Sequence, residues 1–540
     1  MVLIGNAVVS HLFLKRGITI MKEKERKLLL ISIECWFKEL EDLIEWIKSS
    51  GASREAIAKT KQVFSRYENV FRHNPYYAEL SDSIKFEIYN RNRKLLKFSL
   101  RQDRSKRLSP SSDELTVTVQ VPCDNDLQAM KALPAGGFDR QKERLKKIKA
   151  AVYDQVAEGH IVETQSIKTK YWIDRLPWRV LCEAIRSNDR RLVELAFRTI
   201  PEDNPVLRAL LQAHDRDYIL DIIYRCANLS AEEYAFLVPG DPDVVIGQRT
   251  FEVLIFDLIT TLEQRQKLNI SIGLPTHHAY RNQAAGFCLL NKIAIIMAYE
   301  QSQSHEPIHH VIIGLDVNRD NGLSSIIMNR ETDCSCLHLD VNDSRVYPWH
   351  TVEDIEAEWH GRGTRYPNMT TWQRGFRSYH NIDLARFPRK GAEIHPAIKM
   401  VLSELEASLK AASESQQPVM IYLPTGWDSH EKETAACGQM IDNLRWLSAS
   451  QSHSCRLTDK DFDFFNQELF KLIRTHESII TRVYWQLEGG YTDEVNFRQV
   501  ASLAKAWHIS KYEASPSASS SVEPFSSSSD FSRVTRARHR

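Results

Sequence analysis

The chain has 540 residues, more than one hydrophobic core ordinarily supports, so at least two folding units are expected. Its 42% hydrophobic and 26% charged residues read as soluble and globular, and a formal net charge of +1, from 71 basic and 70 acidic residues, argues against a surface that grips nucleic acid throughout. Nine cysteines are scattered, and the one close pair, Cys334 and Cys336, has neither zinc-ribbon nor thioredoxin spacing. A reducing compartment, cytoplasm or nucleus, is the simpler reading.

Residues 1–14 are apolar but lack a basic lead-in and a cleavage site, and are too short to span a bilayer. Neither export nor a membrane span is expected, so the sequons at Asn228 and Asn368 carry no sugar. From residue 22 to 100 the apolar residues recur at three and four, which predicts a mostly helical N-terminal region. Within it, residues 91–107 are basic and suit a solvated linker, with a nuclear-import or phosphate-contacting patch as the other reading. Residues 115–121 alternate as a half-buried strand does, and 140–159 form a charged helix taken as the bridge to the next domain, which places the first region at 1–164.

From 165 to 510, apolar runs such as HVIIGLDV, PVMIYLP and RVYWQLEGG alternate with helical stretches. That order implies an α/β domain with a parallel sheet covered by helices on both faces. Ligands of such sheets sit beyond the carboxyl ends of the strands, where Asp316, Asp428 and Tyr491 fall. Residues 511–540 are Ser-rich with a basic end and too few apolar residues for a core, so they read as a disordered tail.

Four motifs in the α/β region carry chemistry. They are PTHHAYRNQAAGFCLLNK with His277 and His278, GLDVNRDNG with Asp316, GWDSH with Asp428, and LEGGY ending at Tyr491. Adjacent histidines, two distant aspartates and a Gly-Gly-Tyr are the parts that metal-assisted amide hydrolysis needs. A paired histidine alone is more often packing than catalysis. Four such motifs in order are not explained by packing.

Together they resemble the histone deacetylase and acetylpolyamine amidohydrolase family, with its arginase/deacetylase-like fold, over residues 165–510. The resemblance implies His278 as the general base toward a metal-bound water, His277 as its electrostatic companion, and Tyr491 as hydrogen-bond donor to the oxyanion. It implies Asp316, Asn318 and Asp428 as ligands of Zn2+ or another divalent metal, and a substrate channel walled by Phe287 and Tyr347 with Gly489, Gly490 and a rim aspartate, Asp243, or else Asp241. It further suggests a structural K+ near Asp316 and Leu337, with Cys336 where a serine is usual.

Two positions depart from the family pattern. Asn318 stands where a histidine ligand is usual, and an amide oxygen is a harder, poorer zinc donor than imidazole. Gly314 stands where an aspartate holds the first histidine, which leaves His277 without that partner. Asp320 is either a substitute metal ligand or a solvated loop acid.

The function implied is a metal-dependent deacetylase acting on acetyl-lysine in proteins, histones among them, or on a small acylated amine such as an acetylpolyamine. The alternative is a deacetylase-like module that binds acyl-lysine without turnover. A chromatin or other protein complex is a further expected partner, and direct nucleic-acid binding by the α/β domain is not expected. Residues 350–377, rich in Trp, Arg and Gly, form an added rim segment of the kind that sets substrate choice.

Overall fold

The computed structural model describes residues 23–39, 73–74, 76–77, 80, 117–120, 137–157, 175–238, 244–263, 267–329, 334–348, 350–387, 393–433, 439–442, 445–447 and 457–513. The apolar segment 1–14, the basic stretch 91–107, Asp241, Asp243 and the Ser-rich residues 514–540 lie outside the described residues.

Among the described residues nine strands build the main sheet: β1 (Val117–Gln120), β2 (Leu268–Ser271), β3 (His309–Leu315), β4 (Ser335–Asn342), β5 (Thr364–Arg365), β6 (Met369–Arg374), β7 (Arg377–Asp383), β8 (Val419–Thr425) and β9 (Ile480–Leu487). Their order is β1-β2-β9-β8-β3-β4-β7-β6-β5. All neighbours from β1 to β7 run parallel, and β6 and β5 finish the edge antiparallel. The expected parallel sheet is thus extended by a hairpin made from the rim segment 350–377.

Period-two alternation explains why both faces are covered. On β3, Val311 and Ile313 join one core cluster and Ile312 the other; on β8, Val419, Ile421 and Leu423 point to the first and Met420 and Tyr422 to the second. Helices Gly137–Ala157, Pro396–Glu414, Asp459–Thr475 and Asp493–Glu513 cover one face. Helices Leu176–Arg186, Pro205–Ala213, Thr250–Glu263 and Lys292–Gln303 belong to the other core.

The described N-terminal segments 23–39, 117–120 and 137–157 pack into this architecture. β1 pairs with β2 in register Val117 to Leu268, and Leu145, Ile148 and Val152 of helix Gly137–Ala157 are buried in the same cluster as Trp507 of the last helix. Helix 23–39 places Leu29, Ile33 and Trp36 in the opposite core, and Lys24 pairs with Asp189 at 2.5 Å. Strand Val117–Gln120 and helix Gly137–Ala157, both before the boundary expected at 164, thus join the sheet and core of the α/β region. The physical reason is that strand pairing joins segments distant in sequence, which periodicity along the chain does not register.

Candidate active site

Four contiguous parallel strands deliver the site. Leu315, Thr425 and Leu487, the last residues of β3, β8 and β9, lie opposite one another in register, and Ser271 at the end of β2 lies opposite Gln486. The segments that follow, with Asp316, Asp428, Glu488 to Tyr491 and the histidine loop, therefore leave the sheet at the same edge.

The histidine loop is tied down twice. Glu488, fully buried, accepts from Thr276 N–H and Oγ1–H at 2.5 and 2.7 Å and from His277 N–H at 3.3 Å. Leu323 N–H, in the first turn of helix Asn321–Met328, donates to the His277 carbonyl at 2.9 Å. The two imidazoles lie 3.8 Å apart, centre to centre, and both are buried.

Their environments differ. His278 Nδ1 lies 2.5 Å from Asn321 Oδ1, and Asn321 Nδ2 donates to Tyr280 Oη at 2.7 Å. An amide oxygen only accepts, so His278 carries its proton on Nδ1 and keeps the Nε2 lone pair. Burial, reinforced by the charge of His277, holds its pKa well below 6.5. For His277 burial pulls the other way from its surroundings: the charges of Asp316 and Glu488 and the hydrogen bond to Asp320 overcome it and push the pKa up to about 10.

His277 is not left without a carboxylate, as Gly314 had implied. Asp320 Oδ1 lies 2.7 Å from His277 Nδ1, and Asp320 is fully buried, so it is not a solvated loop acid. A loop residue's direction follows from loop geometry, which the spacing from Asp316 does not give.

Asp316 and Asp428 are both about as buried as a residue can be, each 1% exposed. A β carbon on Gly489 would fall 1.8 Å from Asp428 Oδ2 and 2.9 Å from Asp316 Oδ2, so the two carboxylates flank one point that glycine alone leaves open. Gly489 N–H donates to Asp316 Oδ2 at 3.0 Å, Asn318 N–H to Asp316 Oδ1 at 2.8 Å and Val317 N–H to Asp428 Oδ1 at 3.1 Å. Burial and the neighbouring Asp316 charge hold the Asp428 pKa well above the carboxylate range.

Burying an ion without compensation costs several kcal/mol. Two adjacent carboxylates fit a divalent cation. Asn318 Nδ2 donates to the Tyr347 carbonyl at 2.8 Å, which orients that amide.

Among the described residues two other groups are close enough to hold a metal: His277, Cys288 and Glu488, and Asp320, His338 and Asp340. In the first, burial pushes the Cys288 thiol well up and Glu488 is engaged by the histidine loop. In the second, Asp320 and Asp340 are held by hydrogen bonds to His277, His338 and Tyr379. The adjacent, buried carboxylates of Asp316 and Asp428 fit a divalent cation better than either group.

Above this buried floor stand half-buried aromatics. The Tyr347 ring meets His278 edge-on at 5.0 Å, and Phe287, held at φ 67°, lies 6.4 Å from the Tyr491 ring. Tyr491 N–H and Thr492 N–H donate to Glu433 Oε2 at 2.8 and 3.0 Å. Beneath the turn, buried Arg144 donates to the Gly489 carbonyl at 2.7 Å and to that of Glu488, with its guanidinium 4.9 Å from the Tyr491 ring centre.

Sequence reasoning gave no role to Arg144, Glu433, Glu488, His338 or Asp340. A signal existed for Arg144, which shares a helix face with buried Ile148, Ala151 and Gln155. It also misplaced the suggested K+ site. Leu337 pairs with Val311, and Asp316 N–H instead meets the Val341 carbonyl, so Leu337 and Asp316 lie toward opposite ends of their strands.

Comparison with known proteins gives two results. The family model described as histone deacetylase domain matches residues 177–507, more than half of the chain. Among solved structures, one titled "Crystal Structure of HDA15 HD domain" is similar at 14% sequence identity and a TM-score of 0.45, covering 74% of this chain and 90% of that chain.

Proposed function

The chain belongs to the histone deacetylase family, and on that premise we propose that it is a metal-dependent amidohydrolase that removes the acetyl group from acetyl-lysine in proteins. Asp316, Asp428 and Asn318 would hold the divalent cation, which when bound polarises the acyl carbonyl and acidifies water. The observation that carries the reading is the convergence, at one sheet edge, of a neutral buried His278 and two adjacent buried aspartates beneath Tyr491, Phe287 and Tyr347.

His278 accepts a proton from the attacking water at Nε2, because Asn321 keeps the other nitrogen protonated. His277, cationic through its carboxylate neighbours, and the Tyr491 hydroxyl favour the negative charge that grows on the carbonyl oxygen. The proton held by His278 then passes to the departing lysine nitrogen as the C–N bond breaks. Products are acetate and the free amine. Phe287 and Tyr347 flank an unbranched stem and exclude water from it.

Substrates would be acetylated proteins, histones included, met in the cytoplasm or nucleus. Among the described residues no helix is long and apolar enough to cross a membrane. The test is acetate release by the purified chain supplied separately with Zn2+, Fe2+ and Mn2+, offered an acetyl-lysine peptide and an N-acetylated diamine. Chelator-sensitive release from the peptide is expected; release from the diamine alone would move the substrate to small amines, and release from neither contradicts the proposal.

Asn318, in place of an imidazole donor, favours a second reading: a module that binds acyl-lysine without cleaving it. Stoichiometric peptide binding with no acetate released under any of those metals would select it.

A further inference from the structure

Positions 314 and 320 compete for one volume. A β carbon on Gly314 would lie 2.3 Å from Asp320 Oδ2 and 2.9 Å from its Cγ, far inside contact distance, so the Asp320 carboxylate occupies the place where a side chain on β3 would begin. Gly314 is opposite Asp340 in the β3–β4 register, and Asp340 Oδ2 accepts the Asp320 N–H at 3.0 Å and the Tyr379 hydroxyl at 2.6 Å. The backbone of residue 320 is thereby pinned against the strand.

Both carboxylate oxygens are then committed. Oδ1 meets His277 Nδ1 at 2.7 Å and Oδ2 meets His338 Nε2 at 2.9 Å, with all three side chains buried. An acid between two imidazoles cannot rotate without breaking one of the bonds. Behind it, Tyr379 also accepts from Arg319 Nε at 3.1 Å, and Arg319 stacks 5.5 Å from the Trp359 ring, which continues the rigid backing into the rim segment.

We propose that Asp320 is the positioning residue of His277, a role that rests on the amide-hydrolysis reading. Its carboxylate reaches the ring from the loop through the gap left by Gly314, holds a proton on Nδ1, and is itself kept from turning by His338. The site can take this carboxylate from position 320 or from position 314, but not from both.

The test is a positional swap in the full chain, read by steady-state kinetics and by the 15N signals of histidine-labelled protein, with His277 assigned from His277→Gln. Asp320→Asn is expected to lower kcat by about 10- to 100-fold, the scale of outer carboxylates on working histidines, with KM unchanged and the His277 Nδ1 signal shifted. Gly314→Asp alone should destabilise the fold, whereas Gly314→Asp with Asp320→Gly should recover kcat and the nitrogen signal relative to Asp320→Gly. A general structural role would not give that recovery.

Wild-type kcat and an unmoved His277 signal in Asp320→Asn would overturn the assignment, as would a folded double variant no better than Asp320→Gly. Were the wild type to hydrolyse no amide, the function would fall and the nitrogen signals alone would decide the positioning role.

Discussion

His278 Nδ1 and Asn321 Oδ1 lie 2.5 Å apart, a contact that on the proposed mechanism leaves His278 Nε2 to act as the base. Because burial and the neighbouring His277 charge hold its pKa below 6.5, the neutral form persists into mildly acidic solution, and the acid limb of kcat/KM falls below that value. Asn321→Asp supplies a negative partner, raises the His278 pKa and moves the acid limb to higher pH. His278→Ala should lower kcat by about 10²- to 10⁴-fold. A pH–rate profile of both variants checks this.

On the proposed coordination, Asn318 sets the metal preference. An all-oxygen donor set suits harder cations better than zinc. Replacing it, Asn318→His should tighten Zn2+ by at least about tenfold, or 1.4 kcal/mol, while Mn2+ gains less. Competition with a chromogenic chelator measures both constants without reference to turnover. Equal affinities before and after the substitution would remove residue 318 from the coordination sphere.

Arg144 ties the N-terminal part of the chain to the Gly-Gly-Tyr turn through the carbonyls of Glu488 and Gly489. Charged donors of this kind contribute about 1.5–3 kcal/mol each. Arg144→Ala should therefore lower stability by roughly 2–4 kcal/mol and reduce kcat by loosening Tyr491. Lys at 144 should not restore it, lacking the planar fork. Urea unfolding and kinetics on the same preparations give both quantities.

His214 supplies a pH dependence away from the site. It is fully buried, its Nε2 accepts the Asn291 N–H at 2.9 Å, and burial lowers its pKa from 6.5 to about 4. Between those values the unfolded chain binds a proton that the folded chain refuses, so stability is lost as pH falls through this window. The loss from pH 7 to pH 5 should be about 2 kcal/mol, and His214→Asn should flatten that slope in urea titrations.

The parts of the site legible in the sequence are those that follow directly from strands. Asp316, Asp428 and Tyr491 each come after an apolar run, and a parallel sheet brings such ends to one edge. His277 and His278 were marked by their neighbours Gly286, Phe287 and Cys288. What was not legible depends on directions and registers. Asp320 turns back to His277 because Gly314 leaves room, a relation between two residues that no spacing rule expresses. Leu337 was placed beside Asp316 because a register between β3 and β4 cannot be read from either strand alone. Arg144 lay in a charged helix read as a bridge to the next domain, although its phase on the helix face pointed inward.

The most direct test of the account is single-turnover release of acetate from an acetyl-lysine peptide by the metal-supplied chain and by Tyr491→Phe, with metal and peptide affinities measured for both. The account predicts turnover in the wild type and a loss of about 10²- to 10³-fold in the variant, with both affinities kept. Equal rates in the two proteins, or no acetate from a wild type that binds both metal and peptide, would contradict it.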